Sequence, residues 1–192
     1  MAPVDDSEAA LFATRRDWAA WLKKNHRIST GLWLRIAKKG SELQSVSHKE
    51  ALEVALCYGW IDGQKRPESV GAWRERFVPR GARSLWSKIN REAALALIAT
   101  GEMKPAGLEA IETAKKNGQW EAAYDPPKTA VVPEDLQAAL DANPRAKAFF
   151  ATLNATNRYS VLWRIQTVKR AETRARKIEQ MVAMLERGEK FH

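Results

Sequence analysis

The nine-residue stretch LCYGWIDGQ concentrates side chains that can do chemistry, including the chain's single cysteine, a tyrosine, a tryptophan and an acid. Trp60 and Asp62 are two residues apart, so on a strand they point to the same face. A carboxylate beside an indole on a strand face needs a partner, which Arg80, Arg83 or Asn90 could supply. Asp62 is therefore a candidate general acid or base of a small-molecule enzyme.

A second group of polar residues lies in FVPRGARSLWSKIN. Arg80 and Arg83 precede a predicted helix that begins at Ser84 and carries Ser87 in its first turn. Helix N-termini present free N–H groups, and the guanidinium fork fits phosphate or carboxylate. These residues predict an anion-binding cleft. The alternative is that the arginines pair with neighbouring acids and that the serine only caps the helix.

Tryptophans near these residues could wall the same recess for a small planar or cationic ligand. The alternative is that they are core residues, since tryptophans bury large areas. The predicted ligand-binding set comprises Trp60, Asp62, Arg80, Arg83, Ser84, Trp86, Ser87 and Asn90. The predicted ligand is a small anion, and the sequence predicts no cofactor and no metal site.

Cys57 and His48 are a further candidate, because a Cys–His pair can activate a thiolate. Nine residues apart on one helix, they lie about 13 Å apart along the axis and cannot touch. Cys57 is therefore predicted to be a small buried apolar residue. His48 and the other two histidines, His26 and His192, lack metal-ligand spacing.

The C-terminal helix offers a different function. Residues 145–192 carry eleven basic and four acidic side chains, a net charge of +7. Arg170, Arg174 and Lys177 fall on one helical face, which predicts nucleic-acid binding as an alternative function. A solvated face opposite an apolar stripe explains the same pattern.

Helices and strands must position these residues. Ser47 and Glu50 form a capping box at the start of a predicted helix, and Gly59 is placed to end it in a left-handed conformation. Alternating residues predict strands at GLWLRIAKKG, at WID and at VGAWRERFVP, and the last two are predicted to pair as a hairpin through KRPES. Gly63 would permit a bulge or a close backbone approach there.

The predicted fold class is α+β, with a small, about three-stranded antiparallel sheet covered by helices and followed by a C-terminal all-helical module. The segment DPPKTAVVP has three prolines in nine residues and predicts a linker. The predicted domains are residues 1–124 and 133–192, joined by residues 125–132.

Composition narrows the class of protein. With 192 residues, 45% of them hydrophobic, and a net charge of +9, the sequence is typical of soluble proteins. One cysteine excludes an internal disulfide. The acidic start, MAPVDDSEAALFAT, has no apolar core, so no signal peptide is predicted. No stretch reaches the roughly 18 apolar residues of a membrane helix, and a cytoplasmic location without membrane insertion is expected.

Several motifs together suggest a family. They are RDWAAWLKKNH, GLWLRIAKKG, EALEVALCYGWIDGQ, RFVPR with SLWSKIN, PEDLQAALDANPRAKAFF and VLWRIQTVKRAETRARKIEQMVAML. The chain resembles the YdeI/OmpD-associated proteins, also described as bacteriocin-protection proteins, over nearly its whole length. The resemblance implies a bacterial cytoplasmic protein linked to tolerance of bacteriocins or cationic antimicrobial peptides. It implies no reaction, so the predicted function is a non-enzymatic binding or stress-tolerance protein.

Overall fold

The computed structural model describes residues 8–192, so the expectation about the acidic start lies partly outside the described residues. In that range the chain forms eight helices and a three-stranded sheet. The helices are α1 Arg15–Asn25, α2 His48–Cys57, α3 Lys88–Ala99, α4 Pro105–Lys116, α5 Glu134–Asp141, α6 Pro144–Thr152, α7 Ala155–Gln166 and α8 Ala171–Glu186. The strands are β1 Leu32–Ala37, β2 Trp60–Pro67 and β3 Ala72–Pro79. This composition confirms the predicted α+β class.

The chain divides into two compact units. Among the described residues, unit 1 comprises 8–84 and Asn90–Glu121, and unit 2 comprises Leu85–Ile89 and Ala122–His192. Unit 2 therefore contains a short piece of chain that precedes most of α3. The predicted linker at 125–132 stays a prediction.

Local sequence signals set the first two helices of unit 1. The side chain of Thr14 accepts the N–H of Asp17 at the start of α1. Ser47 and Glu50 form the predicted capping box at the start of α2, each side chain bonding the other's backbone N–H. Gly59 follows the end of α2 with a φ of 72°, the left-handed conformation that a glycine adopts without strain.

The sheet of unit 1 is antiparallel, with β3 between β1 and β2. The β2–β3 register shifts by one residue between Asp62 and Lys65, in the interval that contains Gly63, so the bulge is the alternative observed there. The hairpin turn lies later than predicted. The ladder continues through KRP because Lys65 pairs with Glu75, and β2 ends only at Pro67.

One face of the sheet packs on α1 and α2. Trp18 and Leu22 of α1 are fully buried, as are Leu34 of β1 and Phe77 of β3. Trp60 joins this cluster, and its ring lies edge-on to Trp18 with centroids 6.3 Å apart. Burying such aromatic area is the main stabilisation available to a unit of this size.

The predicted start of α3 at Ser84 is wrong, because the helix begins at Lys88. The Ser84 hydroxyl accepts the N–H of Gly81 at 3.0 Å and closes a turn instead of capping a helix. The next residues pair in a β-bridge between Ser87 and Tyr124, with the Lys88 N–H donating to the Tyr124 carbonyl at 2.9 Å. This pairing holds the chain extended until Lys88.

Unit 2 packs the four helices α5 to α8 around its own core. Leu140 of α5, Phe150 of α6, Ile165 of α7 and Leu185 of α8 are buried in one cluster. Asn157 is buried as well, and its side chain bonds the backbone of His192, which fixes the C-terminal residue. Within the described range, no helix has the length and apolarity needed to cross a membrane.

Candidate functional site

Two glycines bring the end of α2 against the start of α4. A Cβ on Gly59 would lie 2.7 Å from the Ala106 carbonyl oxygen, and one on Gly107 would lie 2.5 Å from the Cys57 carbonyl oxygen. The Lys104 N–H also donates to the Cys57 carbonyl at 3.2 Å. Only glycine permits this approach, so these residues fix the position of α4 relative to α2.

A pocket of about 550 Å³ lies at this contact, and we call it the basic pocket. Its walls come from the end of α1, the end of α2 and the start of α4. The lining residues are Lys23, His26, Arg27, Tyr58, Lys104, Pro105 and Ala106. Three of these carry permanent positive charge and none is acidic.

The positive charge of the basic pocket is little offset. Arg27 forms an ion pair with Glu109 at 3.2 Å, but both side chains are about two-thirds exposed, so water screens this pair. Lys23 and Lys104 have no ion pair among the described residues. The three cations lie at or next to the ends of α1 and α4 and line the same pocket, where their electric fields add.

His26 and Tyr58 supply the rest of the polar wall. Nδ1 of His26 lies 2.8 Å from the Leu22 carbonyl oxygen, so this nitrogen carries the proton and Nε2 is left for a ligand. The Tyr58 ring contacts the imidazole, with centroids 5.2 Å apart. With Pro105 and Ala106, these rings give the pocket an apolar surface beneath its charged rim.

Cys57 does not contribute chemistry to this site. It is a free, buried cysteine, and burial raises the pKa of its thiol to about 11. A thiol of that pKa holds almost no thiolate near neutral pH. The prediction that Cys57 packs as a small apolar residue is confirmed.

Asp62 lies in a different constellation from the predicted one. Nε2 of His48 lies 3.4 Å from a carboxylate oxygen of Asp62 and 3.4 Å from one of Glu75. Hydrogen bonding to Asp62 and Glu75 raises the pKa of His48 to about 9. In the part of the chain that the structure describes, these three form the one group whose donor atoms suit a metal ion, all within 4.8 Å of one another.

The predicted tryptophans are core residues, the alternative that the sequence left open. Trp60 is 1% exposed, and its indole N–H donates to the His26 carbonyl at 3.1 Å. Trp86 is 3% exposed and belongs to unit 2, where its carbonyl accepts the Tyr124 N–H. Neither ring is available to line an open recess.

The other predicted residues are divided between the units. Arg80 donates its backbone N–H to the Gly59 carbonyl at 2.9 Å, while Arg83 is exposed at the turn that Ser84 closes. Ser87 lies in unit 2 and Asn90 in unit 1. The eight predicted residues therefore do not form one recess within either unit.

The basic face proposed for nucleic acid is partly used inside unit 2. Arg174 makes two hydrogen bonds to Asp135, at 2.6 and 2.9 Å, and a third to the Ile165 carbonyl. These hydrogen bonds, which Arg174 donates to Asp135, raise the pKa of Arg174. Arg170 is exposed and Lys177 is partly exposed, whereas the central cation of the stripe, Arg174, serves α8 packing.

The basic pocket and the partners of Asp62 were not predicted from the sequence. Lys23 lies in α1 and Arg27 lies two residues after its end. Their spacing of four residues could have indicated that the two side chains lie on the same side of the chain. Lys104 carries no such signal. The positions of His48 and Glu75 depend on how α2 crosses the sheet.

Two family comparisons match the chain. Residues 10–110, which are 101 of the 192 residues, match a domain of unknown function, DUF8412. Residues 129–188 match the family described as Bacteriocin-protection, YdeI or OmpD-Associated. The predicted resemblance is thus confirmed for the C-terminal part, while the N-terminal motifs lie in the DUF8412 match. No curated protein and no solved structure shows significant similarity to the chain.

Proposed function

The chain belongs to the DUF8412 family, and from that premise we propose that its unit 1 binds a small anionic ligand in the basic pocket. The observation that carries this proposal is the set of lining residues, with three permanent cations and no acid around about 550 Å³. The proposal keeps the predicted ligand class and moves the site from the arginine turn to the contact of α2 and α4.

The lining also defines the ligand class. Lys23, Arg27 and Lys104 favour phosphate or carboxylate, since ammonium and guanidinium groups bind both anions. The Tyr58 ring and the neighbouring Pro105 add an apolar wall that suits a planar group. We therefore propose a phosphorylated or carboxylated small molecule with a planar apolar part.

Calorimetric titration with inorganic phosphate and with phenyl phosphate tests the proposal. We expect phenyl phosphate to bind more tightly, because it also contacts the apolar wall. The double variant Lys23→Gln/Lys104→Gln should bind about fivefold to tenfold more weakly, since two exposed cation contacts together contribute about 1 kcal/mol. Binding should weaken as salt is added.

The matched control removes the same charge from the same two helices outside the pocket. Lys24→Gln/Lys116→Gln changes two exposed lysines that do not line it. Equal weakening by both double variants would mean that only the net charge matters, and the pocket would not be the site. If neither inorganic phosphate nor phenyl phosphate binds at low salt, that result also contradicts the proposal.

We further propose that the whole chain acts in bacteriocin tolerance within the bacterial cytoplasm, without catalysing a reaction. This rests on the match of residues 129–188 to the bacteriocin-protection family. A bacterial strain that lacks the chain should be killed at lower bacteriocin concentrations and be rescued by the unaltered gene. Equal survival with and without the chain, or its recovery outside the cytoplasm on fractionation, would contradict this proposal.

A further inference from the structure

Three ionisable side chains from separate elements meet on the helix-covered face of the sheet. Asp62 of β2 pairs with Phe77 of β3, and Glu75 precedes Phe77 by two residues, so strand alternation puts both carboxylates on the face of that buried ring. His48, the first residue of α2, reaches the same face. This cluster shares no residue with the basic pocket.

The two distances from His48 lie at the long end of the range for hydrogen bonds, and they match the separation of two ligands on a shared ion. Nε2 of His48 is 3.4 Å from each carboxylate, whereas a charged N–H···O bond is typically about 2.7–2.9 Å. A single N–H shared between two oxygens makes only a weak hydrogen bond to each of them. Donor atoms bound at about 2.1 Å in a tetrahedron lie about 3.4 Å apart, which matches both distances.

Glu75 is buried and held in place. Its side chain is 6% exposed, and its second oxygen accepts the Trp73 indole N–H at 3.1 Å. A buried carboxylate needs a nearby cation, and such a bond to the far oxygen is the arrangement that orients metal-ligating carboxylates. The ammonium nitrogen of Lys65 lies over the ring of the same Trp73, 4.1 Å from its centroid.

We propose that His48, Asp62 and Glu75 bind one divalent transition-metal ion such as Zn²⁺. One imidazole nitrogen and two carboxylate oxygens are a donor set for Zn²⁺, Fe²⁺ or Mn²⁺, whereas Mg²⁺ and Ca²⁺ prefer oxygen donors alone. Three protein ligands leave a further position for water or a ligand. Asp62 and His48 are half-buried, so that position is reached from solvent.

Calorimetric titration of EDTA-treated protein with Zn²⁺ tests the site. We expect one ion per chain, and at least tenfold weaker binding in each of His48→Gln, Asp62→Asn and Glu75→Gln. Zn²⁺ should also raise the thermal unfolding temperature of the unaltered protein more than that of the variants. Co²⁺ as a second probe should give a visible absorption band that His48→Gln abolishes.

His192→Gln is the matched control, because it removes a histidine outside the cluster. In His192, Asn157 bonds only the backbone N–H and carbonyl, so the substitution keeps these contacts. Its Zn²⁺ affinity should equal that of the unaltered protein. If Glu75→Gln does not fold, Asp62→Asn decides, because that side chain is 27% exposed and less confined. Absence of Zn²⁺ and Co²⁺ binding, or unchanged affinity in His48→Gln, would overturn the proposal.

Discussion

Titrating His48 in metal-free protein measures how strongly the carboxylates of Asp62 and Glu75 raise its pKa. Its pKa is raised from 6.5 to about 9, first by hydrogen bonding to Asp62 and then by hydrogen bonding to Glu75. A histidine whose folded pKa exceeds its unfolded value stabilises the fold fully below about pH 6.5. That stabilisation disappears as the pH rises through about 9.

The size of the effect follows from the same values. A pKa rise of this extent corresponds to at most about 3–4 kcal/mol of unfolding free energy. Because the His48 side chain is 39% exposed, screening by water reduces the expected contribution to about 1–2 kcal/mol. The difference in unfolding free energy between the unaltered protein and His48→Gln should therefore shrink by about that amount between pH 6 and pH 10.

Urea unfolding at several pH values, with EDTA present, gives this difference, and NMR of the imidazole protons gives the pKa directly. His192→Gln is the control, and its difference from the unaltered protein should not follow the same curve. A measured His48 pKa at or below 6.5, or a stability difference that does not change with pH, would refute the electrostatic coupling of α2 to the sheet.

Three further changes test particular contacts by urea unfolding. Gly107→Ala should lower the unfolding free energy by about 1–3 kcal/mol, because its Cβ would overlap the Cys57 carbonyl; no loss would mean that α4 can shift. Asp135→Asn should lower it by about 0.5–1 kcal/mol and reduce its dependence on salt, since the ion pair with Arg174 is partly exposed; an unchanged salt dependence would contradict this. Trp60→Phe should lower the unfolding free energy by about 1–3 kcal/mol, because the indole hydrogen bond and part of the packing are lost. An unchanged unfolding free energy would contradict the role of Trp60 in the core.

Features set by nearby residues could be predicted from the sequence. The capping box at Ser47, the left-handed Gly59 and the bulge at Gly63 each depend on a few neighbouring residues, and all three are present in the structure. The predicted start of α3 at Ser84 was wrong, because a contact with a residue distant in sequence overrides the local signal. A serine followed by a helical pattern favours a cap locally, but pairing with Tyr124 keeps the chain extended.

The candidate sites depend on contacts between residues distant in sequence. Lys104 comes near Lys23 only because Gly107 lets α4 approach α2. Asp62 was predicted as an unusual acid that needs a partner, and the structure supplies His48 and Glu75 in place of the predicted arginines. The strand alternation placed Asp62 correctly on its face, but the crossing of α2 over that face has no sequence signal.

The lone cysteine provides a built-in reporter of local opening. Its carbonyl holds the Lys104 N–H, and its thiol is buried with a pKa raised to about 11. Alkylation therefore requires the structure around Cys57 to open or unit 1 to unfold, and the labelling rate measures how often that happens. A thiol reagent thus reports openings at the end of α2, next to Tyr58 of the basic pocket, without any engineered label.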